Sequence, residues 1–184
     1  MDLYQSFTEY NHPWSPLEIF CFFSILLVLL IIFAYCCRFT KMKKSQALAG
    51  LLLFSYFWIV LESTVLTRTS QGYHAYQLEV FWSWKDIIVN HDKEMLKEDL
   101  LNMILLFPFG LFLPFFFHRK LHWWQSLLIG FCISGCIEGL QLILCRGLFE
   151  FDDMIHNSFG CMIGSILAGW VFQFIRYLMT HNRR

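Results

Sequence analysis

Five long apolar segments, separated by short polar ones, dominate the pattern of this chain. They cover residues 17–37, 46–66, 100–117, 123–145 and 154–176. A helix needs roughly 20 mainly apolar residues to cross the hydrocarbon core of a bilayer, and each segment approaches that length. The pattern therefore predicts an all-α, polytopic membrane protein with about five transmembrane helices in a compact bundle.

The composition agrees with a membrane protein, since 57% of the 184 residues are hydrophobic and only 15% are charged. The first segment is not expected to be a cleaved signal peptide, because no basic residue precedes it and no small-x-small cleavage pattern follows it. The seven cysteines all fall within or at the ends of apolar segments, without metal-type spacing. They are predicted to be apolar packing residues rather than disulfide partners or metal ligands.

The net charge is zero, but the basic residues cluster after the first segment, between the third and fourth, and at the end of the chain. They are Arg38, Lys41, Lys43, Lys44, Arg119, Lys120, Arg176, Arg183 and Arg184. By the positive-inside rule these segments are cytoplasmic, so the predicted orientation is N-out/C-in. The N-terminus and the loops 67–99 and 146–153 then lie outside. With this orientation, all the acidic residues fall either on the external side or in the outer halves of the spans.

No repeat and no low-complexity linker divides the chain, which favours one membrane domain. We predict that residues 1–45 hold an external segment, the first transmembrane helix and a basic cytoplasmic loop. Residues 46–178 would form the main membrane domain, and residues 179–184 a basic cytoplasmic tail.

The external loop 67–99 is aromatic and amphipathic rather than disordered in character. Trp82 and Trp84 suit the membrane interface, which favours a short helix or a re-entrant turn lying on the outer surface. The loop could be an interfacial anchor without a ligand, or it could help to hold one. Residues 90–101 have leucines at helical spacing among alternating charges, so they are predicted to form a solvated start of the third helix.

The third and fifth helices carry residues that affect packing. Pro108 and Pro114 each remove a backbone donor, so the third helix is predicted to kink or break near its middle. Gly160 and Gly164 form a GxxxG pattern, which permits close contact with another helix.

Glu138 and Gln141 lie three residues apart and therefore share one face of the fourth helix. An ionised carboxylate within the hydrocarbon region costs at least a few kcal/mol unless it is paired or hydrated. Glu138 should therefore face the bundle. It is either protonated, bridged to a cation such as Arg68 or Arg146, or part of a wet cleft.

Further polar groups are predicted at the same outer level of the bundle. Asp152 and Asp153 begin the fifth helix, where free N–H groups favour carboxylates, and Asn157 lies about one turn further on. The candidate binding residues are Arg68, Asn102, Glu138, Gln141, Arg146, Asp152, Asp153 and Asn157. They form either a structural network that fixes helix register or an external site. Glu62 lies at the same level, and His156 is interpreted as a packing residue.

These residues resemble the VanZ-like family of small bacterial membrane proteins. The similarity runs through the segments 102–110 (NMILLFPFG) and 134–141 (SGCIEGLQ), and through Arg146, Asp152-Asp153 and residues 157–160. It covers roughly residues 55–172. This chain has Glu150 where the family often has Asp, Asn157-Ser158 where Asn-Thr is usual, and residues 77–81 (QLEVF) without the family's usual proline.

The resemblance implies a multi-pass protein of the bacterial plasma membrane with a role in the cell envelope or in glycopeptide resistance. It implies no established reaction. Our leading hypothesis is a non-enzymatic protein whose external polar cleft binds a membrane lipid, a lipid-linked cell-wall precursor or a lipoglycopeptide such as teicoplanin. No metal, cofactor or nucleic acid is expected, and the oligomeric state is left open.

Two other functions remain as alternatives. In an integral-membrane enzyme, Glu138 and either Asp152 or Asp153 would be catalytic, acting as acid and base on an envelope lipid. The chain has none of the common hydrolase motifs. A proton- or ion-coupled transporter could use Glu138, but five spans without an inverted repeat are few for that function.

Overall fold

The structure, a computed structural model, describes residues 12–181. Its helices are α1 (Pro16–Phe39), α2 (Lys44–Leu61, continued by a π-helical segment Glu62–Leu66), α3 (Trp82–Asn90), α4 (Lys93–Phe116), α5 (Trp123–Leu144) and α6 (Phe151–His181). Two short strands, β1 (Ala75–Gln77) and β2 (Leu148–Glu150), form a parallel pair.

All of these helices except α3 are long and apolar enough to cross a membrane. This confirms the predicted all-α, multi-pass architecture. The orientation and the domain division stay predictions. Residues 1–11, which belong to the predicted external segment, and residues 182–184 of the predicted basic tail lie outside the described part of the chain.

Side-chain caps set the starts of two spanning helices. At α1, Ser15 and Glu18 form a capping box in which the Ser15 N–H donates to Glu18 Oε2 over 2.6 Å. At α4, the carboxylate of Asp92 accepts hydrogen bonds from the backbone N–H groups of Glu94 and Met95. Helix α4 therefore begins in the polar segment, as predicted.

Helix α4 runs without a break through Pro108 and Pro114, so of the two expectations the break was wrong, and a kink at these prolines stays a prediction. Packing along the whole helix explains the difference. Residues before and after Pro108, such as Leu106 and Phe109, are buried in the core formed with α2, α5 and α6. Each proline removes only one backbone hydrogen bond, and packing against the neighbouring helices keeps the rest of α4 helical.

The core of the bundle is the pair α4 and α6, which run parallel. Gly160 packs against the Met103 carbonyl oxygen and Gly164 against that of Phe107, so closely that a Cβ at either glycine would overlap the oxygen. Gly110 of α4 approaches the carbonyl oxygen of Cys161 in the same way. The GxxxG pattern is therefore confirmed as a helix-packing site.

Helix α1 lies at the edge of the bundle and has no buried residue. It contacts α2 through aromatic side chains. The ring of Phe22 stacks on Phe54 with the centroids 5.9 Å apart, and it also contacts Trp58. Most of the α1 surface is therefore left for lipid.

The two strands and α3 cover one end of the bundle, which is called the outer end here because it is predicted to face outward. The strands pair in the register Ala75 with Leu148 and Gln77 with Glu150, which joins the loop after α2 to the loop after α5. The predicted short helix in the loop 67–99 is confirmed as α3. Its position on a membrane surface stays a prediction.

Candidate functional site

The buried polar side chains collect mainly at this outer end, where α2 and α5 end and α4 and α6 begin. They include Glu62, Asp99, Glu138, Gln141, Asp152, His156 and Asn157, each with less than a tenth of its surface exposed. Among residues 12–181, no group of three or more His, Cys, Asp or Glu side chains is arranged to hold a metal ion. Some of these polar groups form hydrogen bonds that join two elements, and others have polar atoms without a hydrogen-bond partner among the described residues.

Asp152 joins α6 to α3. Its Oδ1 accepts a hydrogen bond from the Phe81 backbone N–H over 2.6 Å, and its Oδ2 accepts from both the N–H and the hydroxyl of Ser83. The sequence suggested that this carboxylate serves α6 itself or a ligand. The structure instead places it at the start of α3, where Phe81 has a left-handed backbone (φ 62°). With 1% of its surface exposed, the carboxylate is fully engaged.

Arg146 and Gln141 join α5 to the end of α2. The Arg146 guanidinium donates to the carbonyl oxygens of Val65 and Leu66, over 3.2 and 2.6 Å. The Gln141 amide donates to the carbonyl oxygen of Thr64 over 3.1 Å. A helix end leaves such carbonyls without intrahelical partners, and these two side chains satisfy them.

Asn157 lies deeper, between α5 and α6. Its amide N–H donates to the Ser134 hydroxyl over 2.9 Å, and its carbonyl oxygen is buried without a partner among the described residues. Further along the same interface, the hydroxyls of Ser126 and Ser165 are 2.7 Å apart. These contacts fix the register of α5 against α6.

Glu62 is also buried, but it faces α1 rather than the other outer groups. Its electrostatic neighbours are Glu18 and His12, and the nearest indole N–H belongs to Trp58 on its own helix. Both carboxylate oxygens lack a hydrogen-bond partner within the described part of the chain. Glu62 was predicted at the same depth in the bundle as Arg68, but the two side chains do not belong to one site.

Four of the predicted residues do converge, and we call Arg68, Asn102, Glu138 and Asp153 the outer polar cluster. The Asn102 amide donates to Asp153 Oδ1 over 2.5 Å, which joins α4 to α6. Glu138 Oε2 accepts from the Glu150 backbone N–H over 3.2 Å, which joins α5 to β2. Glu138 and Asp153 are the carboxylates that interact electrostatically with Arg68.

Arg68 is the member of this cluster whose side chain has no hydrogen-bond partner among the described residues. Its side chain is half-buried, and burial lowers the pKa of the guanidinium, while the nearby carboxylates of Glu138 and Asp153 oppose that shift. Yet no carboxylate oxygen of residues 12–181 lies within 4.0 Å of the guanidinium, and none of these residues forms a hydrogen bond to the guanidinium. Gly147 leaves room beside it, because a Cβ there would come within 3.3 Å of Arg68 Nη1.

Glu150 borders the cluster at the end of β2. Burial and the neighbouring carboxylates of Asp153 and Glu98 raise its pKa to about 8. Glu150 is therefore largely protonated at neutral pH, which limits the negative charge around Arg68.

The sequence did not predict the contacts that His156 makes with Trp84 and Asp99. His156 Nε2 accepts a hydrogen bond from the Trp84 indole N–H over 2.8 Å, while its Nδ1 lies 3.5 Å from Asp99 Oδ1. Asp99 is 6% exposed, although its segment was expected to be a solvated helix start. The leucine spacing around it gave no sign that this turn of α4 lies beneath α3.

Comparison with known proteins gives one family. A model of the VanZ/LLP1 family matches residues 20–173, which is most of the chain. No curated protein and no solved structure was found to match. The matched range contains the outer polar cluster and the five spanning helices except for short parts of the first and last. The chain belongs to the VanZ-like family of membrane proteins.

Proposed function

We propose that this protein is a non-enzymatic binding protein of the bacterial plasma membrane, with a role in the cell envelope or in glycopeptide resistance. Its ligand is an amphiphile: a lipid, a lipid-linked cell-wall precursor or a lipoglycopeptide such as teicoplanin. An anionic group of the ligand binds Arg68, and a cationic group, where the ligand has one, lies against Glu138 and Asp153.

The observation that carries the proposal is the half-buried Arg68 guanidinium without a partner among the described residues. A guanidinium has five N–H donors in a planar fork that fits carboxylate and phosphate groups. Burial without partners is costly for such a group. The nearby carboxylates balance its charge but leave its donors free, which suits a ligand that completes the network.

Exposed aromatic side chains beside the cluster would contact the apolar part of the ligand. Tyr73, Tyr76 and Phe81 have 62%, 63% and 55% of their surfaces exposed. All three belong to the segment between α2 and α3, which β1 attaches to the cluster through its pairing with β2. Tyrosine favours the membrane interface, where acyl chains and head groups meet.

The proposal is tested by titrating teicoplanin into the purified protein and into Arg68→Gln and Asp153→Asn variants. Loss of a charged hydrogen bond should weaken binding about tenfold to a hundredfold in Arg68→Gln. The matched control is Lys85→Gln, because Lys85 is an external cation that is exposed and paired with Glu79. Lipid-resolving mass spectrometry of the same variants tests the envelope lipids. If neither teicoplanin nor any co-purified lipid depends on Arg68, the proposal fails.

The enzymatic alternative keeps one supporting observation, the electrostatic contact between Glu138 and Asp153. Asp152 is less suited to acid–base chemistry, because three donors already occupy its carboxylate. Mass spectrometry distinguishes the alternatives: an enzyme would convert an added envelope lipid to a product, and Glu138→Gln would stop that conversion. A binding protein would retain the lipid unchanged.

A further inference from the structure

A groove of about 490 Å³ opens between α1 and α2 at the end of the bundle opposite the outer polar cluster. It is lined by residues that recur at helical spacing on each helix. They are Leu30, Phe33, Ala34, Cys37 and Arg38 on α1, and Lys44, Ala47, Leu48 and Leu51 on α2. The groove is therefore apolar along its length and basic where α1 ends and α2 begins.

Small side chains explain why the two helices leave a groove here. Ala34 and Ala47 face it from opposite sides, and neither can fill the space between the helix backbones. Phe33 packs on Gly50 so closely that a Cβ at Gly50 would come within 2.6 Å of the ring. At the other end of the pair, Phe22 and Phe54 stack directly. The helices thus touch through aromatic rings and leave room near their basic ends.

The cations at the mouth of the groove have no partners in the described part of the chain. No carboxylate of residues 12–181 lies within 4.0 Å of Arg38 or Lys44, and no described residue accepts a hydrogen bond from either side chain. The adjacent Lys43 differs, because its ammonium lies 2.7 Å from His118 Nε2. From residue 12 to residue 181, the acidic residues lie far from this end in sequence and belong toward the opposite end of the spans.

We propose that this groove is a binding site for an anionic glycerophospholipid. The phosphate binds Arg38 and Lys44 at the end of the bundle that is predicted to face the cytoplasm. One acyl chain fills the apolar part, beside Ala34 and Ala47. Basic pockets between transmembrane helices bind anionic head groups in this way. The site is independent of the outer polar cluster, since it lies at the other end of different helices.

Charge complementarity selects this occupant over other apolar ones. A neutral lipid would gain only packing in the groove, because its acyl chains are already in hydrocarbon. An anionic head group also gains the attraction of two unpaired cations.

The test is native mass spectrometry of the detergent-solubilised protein with equal amounts of phosphatidylglycerol and phosphatidylcholine. We expect one retained phosphatidylglycerol per chain in preference to phosphatidylcholine. The double variant Arg38→Gln/Lys44→Gln should weaken this preference roughly thirty-fold. The matched control, Lys41→Gln/Arg119→Gln, removes the same charge from exposed positions outside the groove and should keep the preference.

A third variant tests the groove without changing charge. Ala34→Phe fills the apolar part from an exposed position on α1, so it should fold normally and lose the retained lipid. Circular dichroism and thermal unfolding check the folding of each variant. Equal retention of the two lipids, an equal loss in both charge variants, or undiminished retention in Ala34→Phe would each overturn the proposal.

Discussion

At the scale of single residues, the carboxyl group of Glu150 links the stability of the fold to pH. Burial and the neighbouring carboxylates of Asp153, Glu98 and Asp152 raise its pKa from 4.5 to about 8. The folded state therefore binds this proton more tightly than the unfolded state does. The associated stability is complete below pH 4.5 and is lost as the pH rises through 8.

We predict that thermal stability in detergent falls between pH 5.5 and 9, and that Glu150→Gln flattens this dependence and stabilises the protein at the alkaline end. The measurement is the unfolding midpoint across that pH range. Glu79→Gln, at an exposed ion pair outside the cluster, is the control and should keep the wild-type slope. Equal slopes for the wild type and Glu150→Gln would contradict the prediction.

Asp152 allows a second prediction at the residue scale. An amide in place of the carboxylate turns one acceptor into a donor, which then faces the N–H of Phe81 or the N–H and hydroxyl of Ser83. We expect Asp152→Asn to cost about 3 kcal/mol, because hydrogen bonds to a buried charged group are lost. Hydrogen exchange in α3 should increase first. Asp86→Asn, whose partner Asn90 is exposed, should change little.

At the scale of the elements, the contact between α4 and α6 depends on glycine. A Cβ at Gly160 would overlap the Met103 carbonyl oxygen, which belongs to a helix backbone and cannot move aside cheaply. We predict that Gly160→Ala lowers the free energy of unfolding by about 3 kcal/mol. Gly139→Ala is the matched control, because a Cβ there meets no atom within 4 Å. Similar unfolding midpoints for the two variants would show that the helices do not pack through these glycines.

The outer cap is the other element-scale feature. It consists of β1, β2 and α3, and it is attached to the spans by Asp152 and by the Trp84 indole bound to His156. These bonds hold the segment between α2 and α4 over the starts of α4 and α6. A ligand of the outer polar cluster would therefore meet a fixed rim of aromatic side chains rather than a free loop.

At the scale of the whole molecule, the orientation is the main untested prediction. We expect membrane-impermeant thiol reagents to label cysteine substitutions in residues 70–99 and 147–151 from outside the cell. Substitutions in residues 39–44 should be labelled only after permeabilisation, because basic segments stay cytoplasmic. Labelling of residues 39–44 in intact cells would reverse the assignment.

The sequence predicts some of this architecture and not the rest, for physical reasons. The thickness of a bilayer fixes the length of a span, so hydropathy alone located all five helices. Glu138 was expected to face the bundle because charge inside a span demands a partner, and its carboxylate is buried against the Glu150 N–H. The strands of three residues were not predictable, since so short a segment has no periodicity. The bonds from Asp152 to Ser83 also join segments that the sequence gives no reason to pair.

The glycine contact between α4 and α6 also has a consequence for biosynthesis. These two helices form the centre of the bundle, yet the whole of α5 and β2 lies between them in the chain. A nascent chain that has inserted four spans therefore leaves the α4 surface around Met103 and Phe107 without its partner until α6 leaves the ribosome. Assembly of the core therefore waits for the fifth span, and we expect a chain that stops before Gly160 to lack the helix that its centre packs around.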